Sequence, residues 1–177
     1  PVMREHGHGG AVLAIEFLTD GTLISGSDDG NIVVWNLDAN TQRTFDANHG
    51  AIMGLTSIGT TLASVGTDGA VRLWSTEHFK LLDTLRGHKD LVWSIEALGD
   101  QQFVSVGRDG SILWWSASPA IPTTHQSAGR MPASDICFVW NEVLAVVTEF
   151  DSDMQVINFD KEKTHVISSE GSELSVV

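Results

Sequence analysis

The stretch Ser25-Gly26-Ser27-Asp28-Asp29-Gly30, followed by Trp35, decides how this chain folds because it occurs three times. It returns as Ser64-Val65-Gly66-Thr67-Asp68-Gly69 with Trp74, and as Ser105-Val106-Gly107-Arg108-Asp109-Gly110 with Trp115. In each copy the Asp before the Gly stands six residues ahead of the Trp, and successive Trp residues lie 39 and 41 apart. A fixed period near 40 residues, built from short apolar runs and Gly turns, is the mark of an array of repeated units. Each such unit buries its faces against its neighbours.

Outward from the first copy, alternating apolar residues predict strands over Val12–Phe17, Leu23–Ser27, Ile32–Trp35 and Gln42–Phe45, separated by Gly, Asn and Asp turns. The second copy repeats them through Ile52–Ser57, Thr61–Val65, Ala70–Trp74 and Lys80–Leu85. The third does so through Val92–Ala97, Phe103–Val106 and Ser111–Trp115, with an outer strand near Ile121. Pro119 and Pro122 interrupt that outer strand, which is tolerable at a sheet edge. Four strands per unit, the innermost most apolar and the outermost most polar, describe the blade of a β-propeller.

The chain resembles the WD-repeat (WD40) family over essentially its whole length. The resemblance rests on Gly7-His8 and Gly87-His88 ahead of the inner strand, on the Asp-Gly turns, and on Trp35-Asn36, Trp74-Ser75 and Trp115-Ser116. The Asp that usually follows the Trp is replaced in every copy, and Asn48 stands in the His slot of the second. The implied fold is all-β: a propeller segment of about four four-stranded blades, over 6–46, 47–86, 87–126 and 127–168. The fourth unit is eroded. Its strands are expected at Ile136–Val139, Val143–Val147, Met154–Ile157 and Thr164–Ser168, with Asp151 in the turn and Ile157 in the Trp slot. Residues 1–5 and 172–177 read as partial strands of adjacent blades, Val2–Glu5 an outer one and Leu174–Val177 the start of an inner one. A seven-bladed or similar ring is therefore expected, completed by the rest of a longer parent chain or by another chain.

Composition narrows the function classes. Formal charge is -13, from 23 Asp and Glu against 10 Lys and Arg. Phosphate contacts need clustered positive charge, so direct nucleic-acid binding is not expected. An acidic field attracts basic partners, although the same acids also keep a β-rich surface soluble and block edge pairing. No apolar run approaches the roughly 20 residues of a membrane span. The single Cys137 and the lack of a leader-like start favour a reducing, intracellular setting, cytoplasmic or nuclear.

Two units contain a Ser, a His and an Asp: Ser25, His8 and Asp29, then Ser105, His88 and Asp109. That set suits a nucleophile, a base and an orienting carboxylate. The resemblance implies a structural role instead, a hydrogen-bond network joining Trp, Ser, His and Asp within each blade. It covers His8, Ser25, Asp29 and Trp35, then Ser64, Asp68 and Trp74, then His88, Ser105, Asp109 and Trp115. No catalytic residue, metal or cofactor is expected. His6-Gly7-His8 lacks a nearby Cys or paired carboxylate to complete a metal shell. Asp151-Ser152-Asp153 lacks the Gly and terminal Glu of a calcium loop. His78, His125 and His165 fall in loops or outer strands.

The family's exposed top face carries its partners, and the matching slots hold Leu13, Met53, Trp93 and Cys137. Two residues earlier stand Ala11, Ala51, Leu91 and Asp135; before the turn Asp stand Asp28, Thr67 and Arg108. Trp93, Leu91 and Arg108 would join an aromatic, an aliphatic and a cation on one rim, and interfaces concentrate energy in such anchors. Asp28, Asp90 and Asp135 would receive Lys or Arg from a basic peptide or protein. Trp114 is expected in inter-blade core. The reading is a non-catalytic protein–protein interaction scaffold. Its alternatives are an architectural subunit using blade edges, or an enzyme or ligand-binding propeller using the central channel.

Overall fold

A computed structural model of the chain describes residues 7–47, 50–98 and 102–116 in full. Beyond them it describes the backbone of six strands, at 123–127, 133–140, 143–148, 154–158, 163–167 and 173–174. Among the described residues every regular element is a strand. The first sheet is β1 (Val12–Phe17), β2 (Leu23–Ser27), β3 (Asn31–Asn36) and β4 (Thr41–Asp46). The second is β5 (Ile52–Ile58), β6 (Thr61–Gly66), β7 (Ala70–Ser75) and β8 (Leu81–Arg86). The third is β9 (Val92–Leu98), β10 (Gln102–Gly107), β11 (Ser111–Ser116) and β12 (Thr123–Ser127). The fourth is β13 (Ala133–Trp140), β14 (Val143–Thr148), β15 (Met154–Asn158), β16 (Lys163–Ile167) and β17 (Glu173–Leu174). Strands pair antiparallel in chain order within each sheet, as short turns between consecutive strands require.

The four sheets stand as successive blades. Inner strands β1, β5, β9 and β13 lie beside one another, and the second strand of each blade packs on the inner strand of the next. Side-chain alternation lets the second blade present one apolar face to the first blade and one to the third, and the described core lies between blades. Ile24, Ile32 and Ala47 of the first blade bury Ile52, Leu55, Leu62 and Trp74 of the second. Ala63, Val65, Val71, Leu73 and Leu85 of the second bury Val92, Ile95, Phe103, Leu113 and Trp115 of the third. Trp74 and Trp115 are thus covered by the blade before their own.

Two expectations change at the chain's ends. Glu173–Leu174 pair with Val166 and Ile167 as a fifth strand of the fourth sheet, instead of opening a further inner strand. The fourth inner strand begins at Ala133, three residues before the apolar run that starts at Ile136, and takes in the polar Ser134 and Asp135. The stretch at 1–5, the Asn48 slot, Pro119, Pro122 and the Asp151 turn lie outside the described residues.

Trp114 is half-buried on the face of β11 opposite Leu113 and Trp115, outside the core shared with the second blade.

Candidate functional site

Each Asp-Gly turn is built the same way. Gly30, Gly69 and Gly110 have φ of +84°, +75° and +75°, a left-handed conformation that favours glycine. The Asp before each Gly turns its carboxylate back onto the chain. Asp29 Oδ1 accepts from Asn31 N at 2.9 Å, Asp68 Oδ1 from Ala70 N at 3.2 Å and Asp109 Oδ1 from Ser111 N at 3.0 Å.

From the third turn a chain of bonds runs inward to the core. His88 Nδ1 lies 3.1 Å from Asp109 Oδ1, His88 Nε2 lies 2.7 Å from Ser105 Oγ, and Trp115 Nε1 donates to Ser105 Oγ at 2.8 Å. One proton order satisfies all three contacts: indole to Ser oxygen, Ser hydroxyl to Nε2, and Nδ1–H to carboxylate. The first blade repeats it, with His8 Nε2 2.7 Å from Ser25 Oγ and Trp35 Nε1 2.8 Å from the same oxygen. Its His8–Asp29 contact is longer, at 3.4 Å.

Ser25 and Ser105 are buried and already receive an indole N–H. A nucleophilic Ser needs an open approach to its oxygen, and these have none. The arrangement is a tie across the strands of one blade, and it satisfies buried polar groups.

Electrostatics follow from this geometry. Burial pushes His88 below its ordinary range, against the opposing hydrogen bond and charge of Asp109. Burial pushes Asp109 up, yet bonds from Lys89 N, His88 and Ser111 N together hold it below the usual carboxylate range. Asp29 is likewise raised by burial but held low overall by bonds from Asn31 N and Gly9 N and by His8.

The second blade departs from the pattern. Trp74 Nε1 donates to Ser64 Oγ at 2.8 Å, but the turn carboxylate pairs with an arginine: Arg72 Nη1 lies 2.7 Å from Asp68 Oδ2. Arg72 is 8% exposed. Its slot holds Val33 in the first blade and Leu113 in the third, so the charge stands out in the sequence.

The rim residues divide into two groups. In the first three inner strands one extra residue interrupts the register: Leu13 between Val12 and Ala14, Met53 between Ile52 and Gly54, and Trp93 opposite the Val106–Gly107 step. Such bulges re-aim a side chain. Leu13, Met53 and Trp93 line a single concavity of about 450 Å³ together with Gly54, Ser94 and Glu96. Leu13 is exposed, while Met53 and Trp93 are half-buried. The Trp93 indole N–H is buried and has no hydrogen-bond acceptor among the described residues.

The second group, Asp28, Thr67 and Arg108, sits on the turns. Their backbone N–H groups donate to Ala11 O at 3.0 Å, Ala51 O at 3.2 Å and Leu91 O at 2.9 Å, fixing each turn to the residue two before the bulge. Arg108 is not a free cation, since its Nε donates to Asp90 Oδ2 at 2.9 Å. That contact also holds Asp90 below the usual carboxylate range.

In the fourth blade the backbone register puts Ser134, not Cys137, in the bulge slot, because Asp135 pairs with Val147 as Ala14 pairs with Gly26. Cys137 then aligns with Glu16, Thr56 and Glu96. This unit has neither the His nor the Ser that anchors the other alignments. The side chains of Asp135 and Cys137 lie outside the described residues.

Comparison with known proteins agrees with this architecture. The family described as "WD domain, G-beta repeat" matches residues 1–36, 39–75 and 79–116. The ribosome biogenesis protein YTM1 of Saccharomyces cerevisiae is 32% identical over 118 residues, covering 53% of this chain and 26% of that protein. Among solved structures, the RRP9 WD40 repeats superpose with a TM-score of 0.80 at 24% identity, over 91% of this chain and 50% of that one. U3-55K superposes with a TM-score of 0.78 at 24% identity, over 90% and 50%. The chain thus spans about a quarter of the length of its yeast relative and half that of either solved chain. With three repeats matched in register and each built as a four-stranded blade, the chain belongs to the WD-repeat family.

Proposed function

We propose that this chain is a non-catalytic protein-interaction scaffold that receives a protein or peptide in the concavity of its inner strands. The observation that carries this reading is the ladder of bulged residues Leu13, Met53 and Trp93, side by side along one hollow. Exposed apolar surface of this kind, rimmed by polar groups, marks an interaction site. The unsatisfied Trp93 N–H adds direction, because a partner's carbonyl oxygen would complete it after a small rotation of the indole. Asp28, Thr67, Leu91, Arg108 and Asp135 flank that hollow in this reading.

The acidic chain favours a basic partner. Similarity to a ribosome biogenesis protein supports a place in such an assembly, nuclear and among other proteins. The same acidity disfavours direct contact with RNA. The Ser–His–Asp sets take no part in turnover here, because they are consumed in the blade ties.

The test is binding of a basic, ribosome-assembly-derived protein to the purified chain and to Trp93→Ala. Loss of an interface aromatic anchor should weaken binding by about 2 kcal/mol, or roughly thirtyfold in Kd. An unchanged Kd with an intact fold would place the contact elsewhere, on the blade edges.

A further inference from the structure

We propose that the turn between β7 and β8 is a strained clasp, which holds the outer ends of the first two blades together and is where they part. The turns that leave the third strand of these two blades adopt the same conformation at one position. Asn40 and Phe79 each stand five residues after the Trp of their blade, and their φ angles are +53° and +52°. Asn tolerates this left-handed conformation, whereas a bulky aromatic residue there is a backbone outlier. Two backbone bonds close the second turn, from Phe79 N to Ser75 O at 2.8 Å and from Ser75 N to Lys80 O at 2.9 Å. An Asn at position 79 would make both bonds equally well. The phenyl ring answers a different need.

The partner of that ring lies in the preceding blade. Phe45, on the outer strand β4, has its ring centroid 5.1 Å from that of Trp74 and 6.1 Å from that of Phe79. One ring of the first blade thus meets two rings of the second. Phe45 and Phe79 both pack on the core that the two blades share. From the same outer strand, Arg43 Nη1 donates to His78 O in the turn at 3.3 Å. These contacts offset the strain of the turn, and the strain in return weakens their hold. The inner ends of the two blades are tied separately, by Ser57 Oγ of β5 donating to Glu16 Oε1 of β1 at 2.6 Å. A joint tied at its inner end and clasped under strain at its outer end opens from the outside. Leu81 and Leu82, just beyond the turn, are exposed already, so an open clasp adds Phe79 to an apolar stretch at the blade edge. None of this depends on what the hollow of the inner strands receives.

Substitutions at Phe79 in the purified chain separate the ring from the strain. Phe79→Ala, Phe79→Asn and Phe79→Gly all remove the ring, but only Ala keeps a side chain unsuited to the left-handed conformation. Read from denaturant midpoints at unchanged slope, the folding constant of the Ala variant should lie about fivefold below that of the Asn variant. An Ala variant that fails to fold while the Asn and Gly variants fold gives the same support. Equal stability of the Ala and Asn variants, or failure of all three to fold, overturns the strain. A double-mutant cycle of Phe79→Asn with Phe45→Ala tests the contact between blades, with a coupling of about threefold or more expected. Additive effects overturn the clasp. Amide hydrogen exchange in Phe79→Asn then locates the opening. Protection in β4 should fall by about fivefold or more, while protection in β1 and β5 stays within about twofold of wild type. An equal loss in all three strands, or no loss in β4, overturns opening from the outer end.

Discussion

The second and third blades solve one problem with different chemistry. Both must hold a turn carboxylate above a Ser that receives an indole N–H. The third does so with a buried neutral imidazole and a continuous chain of hydrogen bonds from Trp115 to Asp109. The second sets the buried Arg72 against the exposed Asp68, with Nη1 2.7 Å from Oδ2. What is preserved is a satisfied carboxylate at the turn, not a particular partner. The first three blades share the Trp, the Ser and the turn Asp, and the second brings an arginine to its carboxylate.

The comparison breaks most visibly at the tryptophans. Trp115 is 1% exposed between the second and third blades, while Trp35 is half-buried. Trp115→Ala should cost about 3–5 kcal/mol and Trp35→Ala clearly less, read from denaturant midpoints at unchanged slope. Equal losses would mean that the neighbouring blade contributes little to burial.

A smaller effect falls on the serine of the third blade. Ser105→Ala strands both the Trp115 indole N–H and His88 Nε2. It should cost about 2 kcal/mol. Thermal melts beside the wild type check this, and an unchanged midpoint would mean that the tie adds nothing to stability.

The smallest effect is on pH. Burial lowers the His88 pKa in the folded chain, so the unfolded chain binds a proton more readily. Its contribution to stability is complete above about pH 6.5 and is lost as pH falls from there through the folded value. Asp109, held low, adds a contribution lost only at lower pH, below about 3.8. His88→Asn should flatten the first of these losses in a stability titration between about pH 7 and 5. An unaltered slope would show that the third blade's tie does not titrate there.

Much of this was legible in the sequence because the repeat prints its own register. The first three units carry a Ser, an Asp-Gly and a Trp at fixed offsets, and the strands fall within a residue or two of their predicted bounds. The fourth unit lacks the Ser and the His, so only its apolar run at Ile136 marks the inner strand, three residues after the strand begins. The bulges at Leu13, Met53 and Trp93 leave no periodic signal, because one extra residue in a strand looks like a break in alternation. Arg72 did leave one: a charge in a slot otherwise aliphatic, in the one of the first three units without its His. The pairing of Arg108 with Asp90, 18 residues away, leaves no mark in the sequence because it depends on the turn being folded.

The burial of Trp74 and Trp115 by the preceding blade makes the array directional. Trp74 rests against Phe45, with ring centroids 5.1 Å apart, and Trp115 rests among Val71, Leu73 and Leu85. Loosening one blade therefore uncovers the indole of the next, while its own remains packed on the blade behind. Damage travels with chain direction, and the fluorescence of Trp74 or Trp115 reports the health of the blade before it.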